Sequence, residues 1–378
     1  MATPRRFAAA AMKHPSPPRA VCRVTLREVA QAAKVHFSTV SRVMNPATRG
    51  QITADVAKRV LKAAERLGYR TNVLAAGLRT RRSLAIGVII PYIDSPLYPP
   101  ILLGIEEILN EKGYVAIICN TQNDPVREER ALAEMMGRQV DGLILGTATR
   151  RDPIIEAWIG RGAPLVMINR TDQTGRAPSI ITDDALGIAL VVDHLAQLGH
   201  RAIGHIAGPQ QLSTGAVRSE GFHRARQRLR LNGGKRVTVV AEDFTREAGR
   251  RACHRLLNQQ PQTTAVVAAN DIIALGGYEA LRERGLACPG DVSITGYNDS
   301  PFVDLLKPPL TTVRIPQREI GIEAARRLLR RIEDNDPSTA DVVLRPTLVI
   351  RQSTAAPRLA DGAGLKRHAA FHREHVPD

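Results

Sequence analysis

A short stretch near the start of the chain carries side chains suited to reading the edges of DNA bases. Phe37, Ser38, Ser41 and Arg42 fall within six residues, and helical spacing places them on one side of a helix. Arginine pairs with guanine, a serine hydroxyl bonds a base edge, and an aromatic ring packs on the thymine methyl group. The pattern predicts a surface that enters the DNA major groove.

Two short helices joined by a tight turn would position these side chains. Apolar residues recur at helical spacing over 26–33 and again over 40–44, and only Lys34, Val35 and His36 separate them. Such a pair forms a helix-turn-helix, whose second helix lies in the major groove. An ordinary pair of helices in a larger helical domain is the alternative, which the turn alone does not exclude.

Two sequence words, Thr-Leu-x-x-Val-Ala from Thr25 and Ser-Thr-Val-Ser-Arg-Val-Met-Asn from Ser38, carry a wider similarity. This stretch resembles the start of the lactose-repressor (LacI/GalR) family of bacterial transcription regulators. Segments 54–60 and 67–72 follow at the family spacing, and matches continue to about Ser353. The resemblance implies a small all-α helix-turn-helix domain and a two-lobed α/β core with parallel sheets, the type I periplasmic-binding-protein fold.

The resemblance also implies a hinge helix that folds on DNA. Asn72 would cap it, Ala75 would let it enter the minor groove, and Leu78 matches the family leucine that wedges between base pairs. A linker leucine that packs on the core is the alternative for Leu78. The expected DNA contacts are Thr25, Phe37, Ser38, Thr39, Ser41, Arg42, Asn45, Tyr69, Asn72, Ala75 and Leu78.

Some positions depart from the family pattern. His36 replaces the common serine cap, Lys34 replaces the common glycine of the turn, and Gly77 weakens the free hinge helix by up to ~1 kcal/mol relative to alanine. We expect Ser38 and Arg42 to read bases, whereas Arg59 or Arg70 would contact phosphates.

The charge distribution agrees with a nucleic-acid partner. Residues 1–82 contain seventeen basic and three acidic residues, a surplus of fourteen in a chain whose net charge is +16. A solvated basic face is the simpler explanation, but a helix-turn-helix within the basic segment favours phosphate contacts. The chain has no run of eighteen apolar residues and no hydrophobic signal core, so we expect a cytoplasmic protein with no membrane partner.

Aliphatic runs alternate with helical segments from residue 83 onward, which predicts buried parallel strands covered by helices. Strands are expected at 84–90, 114–119, 142–145, 165–168, 202–207, 237–240, 265–268, 294–296 and 347–351. Helices are expected at 99–112, 126–138, 154–161, 185–198, 219–229, 248–258, 272–284 and 315–333.

The domain boundaries follow from these elements. We expect a disordered basic arm (1–22), the helix-turn-helix domain (23–71), the hinge helix and linker (72–82), the core (83–354) and a disordered tail (355–378). Lobe 1 would comprise about 83–183 plus 316–343, and lobe 2 about 184–312 plus 346–354. The chain would therefore cross between the lobes three times, as cleft closure requires.

Polar and aromatic residues cluster where strands of the core end, and ligands of open α/β sheets bind at such ends. The resemblance assigns effector contacts to Tyr98, Asn169, Thr214, Arg218, Phe244, Asn270 and Asn298. All but Arg218 are expected at or just after strand ends. The alternative is that these residues cap strands or hold the hinge.

Two of these residues suggest the charge of the ligand. Many sugar-binding relatives carry aspartate at the positions of Asn169 and Asn298, so these asparagines, with Arg218 and the adjacent Arg170, make the cleft more positive. We expect an anionic effector such as a sugar acid or sugar phosphate. The alternative is that the asparagines bond ordinary hydroxyl groups and that Arg170 points to solvent.

Catalytic motifs are missing or incomplete. Residues 217–221 lack the first glycine of a hydrolase nucleophile elbow, and no dinucleotide-binding or phosphate-binding glycine loop occurs. His368, His372 and His375 have metal-ligand spacing only if the tail is helical, and His194, His200 and His205 are expected at the surface or in turns. The sequence favours a dimeric, effector-controlled repressor without cofactor or metal, and a transport-type small-molecule binding protein or an α/β enzyme is the alternative.

Overall fold

The computed structural model describes residues 24–69, 82–160, 162–231 and 237–358. The chain divides into two compact units, residues 1–81 and residues 82–378. The expected basic arm and the hinge positions Asn72, Ala75 and Leu78 lie outside the described residues. Within these ranges no helix is long and apolar enough to cross a membrane.

The first unit is a group of helices around a core of small aliphatic side chains. Val29, Val40, Val43 and Val60 are fully buried in it, which explains the helical spacing of the apolar residues. The short third helix was not expected from the sequence. The helices are α1 (Leu26–Ala33), α2 (Phe37–Met44), α3 (Pro46–Arg49) and α4 (Ala54–Leu67).

The second unit consists of two α/β lobes. The strands of lobe 1 are β1 (Ala85–Ile90), β2 (Val115–Asn120), β3 (Gly142–Leu145), β4 (Leu165–Ile168), β5 (Ser179–Thr182) and β11 (Val342–Leu344). All are parallel, in the order β11-β5-β4-β3-β1-β2. The helices of this lobe are α5 (Tyr98–Glu111), α6 (Pro125–Gly137), α7 (Pro153–Ile159) and α12 (Gln317–Glu333).

Lobe 2 repeats this plan. Its strands are β6 (Ile203–Ala207), β7 (Thr238–Val240), β8 (Ala265–Ala268), β9 (Ser293–Asn298), β10 (Thr311–Arg314) and β12 (Thr347–Val349), in the order β12-β10-β9-β8-β6-β7. Its helices are α8 (Asp184–Gln197), α9 (Ser213–Arg228), α10 (Arg246–Gln259) and α11 (Asp271–Glu283).

One strand differs from the expected all-parallel arrangement, because β12 runs antiparallel to β10. The chain leaves lobe 2 at Arg314, the last residue of β10, and returns from lobe 1 at Thr347, which pairs with Arg314. A chain that re-enters beside the point where it left must run in the opposite direction.

The chain crosses between the lobes after β5, after β10 and between β11 and β12, so the two-lobed fold with three crossovers is confirmed. Hydrogen bonds join these crossovers. The Asp183 amide donates to the Leu344 carbonyl over 3.0 Å, and the Asp299 carboxylate accepts from Arg314 and Arg351, each at 2.7 Å. The first and third connections are thus joined by a backbone hydrogen bond, and the start of the second is joined through Asp299 to the segment after β12.

The described elements of the second unit lie within two residues of their expected bounds, with four exceptions. Strands β5, β10 and β11 were not expected, and α9 begins at Ser213 rather than at residue 219. The first turns of α9 hold small and polar residues instead of an aliphatic stripe, so hydrophobic periodicity does not mark them.

Two expectations about individual segments were wrong. His205, expected at the surface or in a turn, is buried within β6, whereas His200 follows the turn after α8 and is buried there. Burial lowers the pKa of His205 to about 4, and its Nδ1 bonds the Val267 carbonyl over 2.8 Å. Residues 355–358, placed in the expected disordered tail, also contact the core: the Ala355 amide donates to the Ser293 hydroxyl over 3.2 Å.

Each lobe contains a pair of helices that cross at glycines. A Cβ atom on Gly104 of α5 would lie 2.2 Å from a carbonyl oxygen of α12, and one on Gly321 of α12 would lie 2.0 Å from a carbonyl oxygen of α5. In lobe 2, Gly249 of α10 and Gly276 of α11 meet the facing backbone in the same way, at 2.5 and 2.1 Å. Only a residue without a side chain lets two backbones approach this closely.

The Gly321→Ala variant tests this packing. We expect it to lower the free energy of unfolding by about 1–3 kcal/mol, because the methyl group meets backbone that cannot move aside. Gly137→Ala at the end of α6 is the matched control, since a Cβ atom there has no heavy atom within 4 Å. Urea denaturation of both purified variants gives the comparison, and equal stabilities would contradict the close approach.

Candidate functional site

The helix-turn-helix is fixed locally by capping. The Thr25 amide donates to the Glu28 carboxylate over 2.6 Å, and the Glu28 amide donates to the Thr25 hydroxyl over 3.3 Å. This reciprocal pair satisfies backbone donors at the start of α1, and it lowers the pKa of Glu28 through the hydrogen bonds that Thr25 makes to its carboxylate. Thr25, expected at the DNA surface, therefore also sets where α1 begins.

The turn accommodates both departures from the family pattern. Lys34 adopts the left-handed conformation, with φ at 53° and ψ at 50°, which glycine would adopt with less strain. His36 acts as the cap of α2, because its Nδ1 accepts the Ser38 amide at 3.4 Å and lies 2.8 Å from the Ser38 hydroxyl.

The outer face of α2 is close to the expected one. Phe37 is 50% exposed, and Ser38 and Arg42 are also exposed. Ser41 and Thr39 are only partly exposed. The other expected DNA residues described in this unit, Asn45 and Tyr69, are half-buried.

Two basic residues near this face each use one guanidinium nitrogen to bind the protein itself. The Arg49 side chain donates through Nε to the Val43 carbonyl over 2.8 Å, and Arg59 donates through Nε to the Ala33 carbonyl over 3.2 Å. Both therefore bind carbonyl groups at helix ends. Arg59, expected to contact phosphate, stabilises α1, whereas Arg42 makes no such contact through its side chain among the described residues.

A cavity of about 280 Å³ lies between the lobes of the second unit. The structure brings all seven residues assigned to the effector into its wall, so residues from strand ends and from α9 meet at one place. Their role in binding remains a prediction. The wall consists of Pro91, Tyr92, Asp94, Ser95, Leu97, Tyr98, Asn169, Arg170, Thr214, Arg218, Phe244, Thr245, Arg246, Asn270, Ile272 and Asn298.

Arg218 is held by protein groups on several sides. Its Nη2 lies 3.0 Å from the Asp184 carboxylate, its Nη1 donates to the Ala269 carbonyl over 2.8 Å, and its guanidinium carbon lies 3.8 Å from the centre of the Tyr297 ring. Both members of the ion pair are more than nine-tenths buried. Asp184 was not expected from the sequence, because it stands 34 residues before its partner and no local pattern marks it.

The three asparagines of the wall differ in what they offer a ligand. Asn169 and Asn298 have positive φ angles of 61° and 111°, which asparagine tolerates better than most residues. The Asn298 side-chain oxygen is buried and has no partner among the described residues. The Asn270 oxygen instead accepts the Ile273 amide over 2.8 Å and caps α11, so only its amide group remains for the cavity.

Two aromatic side chains contribute apolar surface to the wall. Tyr98 is buried, and its hydroxyl donates to the Gly146 carbonyl over 3.3 Å. Burial raises the pKa of Tyr98, so its hydroxyl stays protonated. Phe244 packs against Gly208, where a Cβ atom would lie 2.5 Å from the ring.

Several hydrogen bonds join the lobes beside the cavity. The Tyr92 hydroxyl donates to Asp243 over 2.6 Å, the Arg150 amide to the Gln211 carbonyl over 2.9 Å, and the Thr171 amide to the Ser213 hydroxyl over 3.0 Å. Burial and the neighbouring Asp243 carboxylate raise the pKa of Tyr92 to about 12. The lobes are therefore in contact at this edge.

The described residues contain no group of three or more histidine, cysteine or acidic side chains placed to hold a metal ion. His368, His372 and His375 lie outside the described residues. Cys119, Cys253 and Cys288 are free thiols.

Comparisons with known proteins cover both units. A model of bacterial regulatory proteins of the lacI family matches residues 25–72, and a periplasmic binding protein-like domain matches residues 192–354. The chain is 32% identical over 330 residues to the ribose operon repressor of Haemophilus influenzae, covering 87% of this chain and 98% of that protein.

Two solved structures are similar along most of their length. One is the lac repressor dimer bound to operator and the anti-inducer ONPF, with a TM-score of 0.79, 28% identity, and coverage of 88% of this chain and 100% of that chain. The other is a LacI family transcriptional regulator from Enterococcus faecium with bound ribose, with a TM-score of 0.64, 31% identity, and coverage of 72% and 100%.

The Arg218–Asp184 pair can be tested by a double-variant cycle. Arg218→Met or Asp184→Asn alone leaves the other charge buried without its partner, so each is expected to lower the free energy of unfolding by about 3–5 kcal/mol. The combined variant should lose clearly less than the sum of the two. Chemical denaturation provides the measurement, and strictly additive losses would show that the two charges are not coupled.

Proposed function

We propose that this chain, which belongs to the lacI family of bacterial regulatory proteins, is a transcriptional repressor controlled by a small molecule. It binds operator DNA as a homodimer in the cytoplasm, and a sugar or sugar acid in the cleft sets its affinity for DNA. The related lac repressor binds its operator as a dimer, and the related Enterococcus faecium regulator holds ribose.

The observation that carries the proposal is the exposed face of α2, with Phe37, Ser38 and Arg42, in a chain that also contains a two-lobed core. A transport-type binding protein is the second candidate, because it shares the two lobes. The transport-type interpretation gives no role to residues 24–69, which fold into a compact helical unit of their own.

A homodimer would place two copies of α2 about a two-fold axis. Each copy would read one half-site, so the operator should be a near-palindrome whose half-sites lie about one helical turn, or a multiple of it, apart. The basic surplus of residues 1–82 supplies phosphate contacts that hold this register.

Ligand binding reaches both lobes, because the cavity wall is shared between them. Tyr98 and Asn169 come from lobe 1, whereas Thr214, Phe244 and Asn298 come from lobe 2. A ligand that contacts both walls stabilises the closed arrangement over any open one, and the difference in its affinity for the two states sets how far the equilibrium moves. The three crossovers provide the hinge for that motion.

The cavity wall supports binding rather than turnover. The sixteen residues of the described wall include no histidine, cysteine or glutamate, and Ser95 therefore has no imidazole beside it to act as a base. We accordingly assign this protein no enzymatic activity.

The Arg42→Ala variant tests base readout by α2. We expect it to weaken binding to a duplex selected from a randomised pool by roughly 1–3 kcal/mol and to leave binding to unselected DNA nearly unchanged. Fluorescence anisotropy at fixed salt measures both affinities.

Arg66→Ala is the matched control, because it removes the same charge from an exposed position on α4. It should reduce both affinities by the same small factor. If Arg42→Ala also weakens both affinities equally, α2 does not read bases through this arginine.

A second test concerns Leu78, which lies outside the described residues and which the family resemblance assigns to the operator centre. Leu78→Ala should reduce both affinity and the bend of the bound DNA, since a side chain that wedges between base pairs kinks the duplex. Circular-permutation gel shifts report the bend. A full bend angle with Leu78→Ala would argue for a linker role instead.

A further inference from the structure

One charged side chain in the cavity wall, Arg170, is buried without a direct ion-pair partner among the described residues. We propose that the ligand of the cleft carries an anionic group, a carboxylate or a phosphate, and that Arg170 holds it. This inference rests on the proposed function of the cleft as the effector site. Of the two arginines to which the sequence pointed, Arg170 rather than Arg218 takes the anion-binding role.

Arg170 follows β4 at the floor of the cleft and is only 3% exposed, so it does not point to solvent. Its Nη1 donates to the Asn123 side-chain oxygen over 3.0 Å and to the Thr147 carbonyl over 3.4 Å. Both acceptors are neutral. Its Nε is buried and has no partner among the described residues.

The other arginines of the wall are already paired. Arg218 is paired with Asp184 at 3.0 Å, and Arg246 lies 3.5 Å from Glu279. No carboxylate among the described residues forms an ion pair with Arg170. Glu128 is close enough to interact with Arg170 electrostatically, but its carboxylate accepts from the Thr147 hydroxyl and makes no ion pair with the guanidinium.

A buried guanidinium without a direct ion-pair partner is costly, because it loses hydration and stays protonated. The cost is recovered when an oxyanion in the cavity accepts from this guanidinium, since a planar guanidinium can donate two parallel hydrogen bonds to one anionic group. A neutral hydroxyl group supplies only part of that gain. The free protein is therefore prepared for an anion at this position.

The other residues of the wall indicate which chemical groups the rest of the ligand carries. The unpartnered Asn298 oxygen accepts a hydrogen bond from a hydroxyl group, while Tyr98 and Phe244 offer apolar surface. A volume of about 280 Å³ is at the small end for ligand sites. These features together fit a polyhydroxylated molecule of monosaccharide size with one acidic group.

The experiment uses the full purified chain and probes of graded chemistry. Inorganic phosphate at constant ionic strength tests the anion site alone. Ribose, ribonate and ribose 5-phosphate, with the corresponding glucose series, then separate neutral sugars from carboxylates and phosphates. Thermal unfolding ranks the probes, and calorimetry measures the affinities of those that stabilise the protein.

Arg170→Gln removes the charge but keeps an amide donor for Asn123 and Thr147. We expect it to weaken binding of the anionic probes by roughly 10- to 100-fold and to leave the neutral sugars within about 3-fold. Arg130→Gln, at an exposed position on α6, removes the same charge outside the cavity and should change neither class.

The ligand-free variant gives an independent readout. Arg170→Gln should unfold at the same temperature as the wild type or higher, because the uncompensated charge is gone. A purely structural arginine would instead give a lower unfolding temperature and equal ligand affinities. That result would overturn the proposal.

Further outcomes separate this inference from the proposed function. If phosphate stabilises the wild type no more than Arg170→Gln, or a neutral sugar binds as well as its acid, the anion site is refuted. A neutral sugar that still alters binding to the selected duplex would leave the proposed function intact. Failure to select any duplex would refute the proposed function, whatever the anions do.

Discussion

The cleft depends on the buried contact of Arg218 with Asp184 and the Tyr297 ring. This contact joins the start of α8, the first turns of α9, the end of β8 through the Ala269 carbonyl, and β9. A guanidinium with so little exposure is stable only when all of its partners are in place. The first crossover and the lobe 2 side of the cavity are therefore fixed by one desolvated charge, and Arg218 is a structural member of the wall.

The sequence predicted which residues meet in the cleft better than what they do there. Carboxyl ends of parallel strands share one edge of a sheet, so polar residues placed after aliphatic runs converge whatever the details of packing. The state of each side chain depends on distant partners. Asp184 lies 34 residues from Arg218. Glu128 of α6 bonds Thr147, which follows β3. His205 is buried because the rest of the second sheet and its helices cover β6.

The helical unit shows the opposite relation between sequence and structure. Its decisive contacts are local: Thr25 with Glu28, and His36 with Ser38. Capping residues act within one turn of a helix, so the first two helices of this unit could be predicted from local spacing. The exceptions are side chains that reach to another helix, as Arg59 reaches the end of α1, and no local pattern predicts those.

Lobe 1 is assembled from two parts of the chain that are far apart in sequence, and this affects its folding during synthesis. Helix α12 and strand β11 complete this lobe, yet they leave the ribosome only after β6 to β10 of the other lobe. At a synthesis rate of roughly 5–20 residues per second, the nascent lobe waits on the order of ten seconds for them. Until then the edge of β5 and the apolar surface that Ile320 and Leu328 later cover stay open, and such surfaces invite association between chains. The shared construction that gives the lobes a hinge thus also leaves an apolar surface of lobe 1 uncovered until the last part of the core has been synthesised.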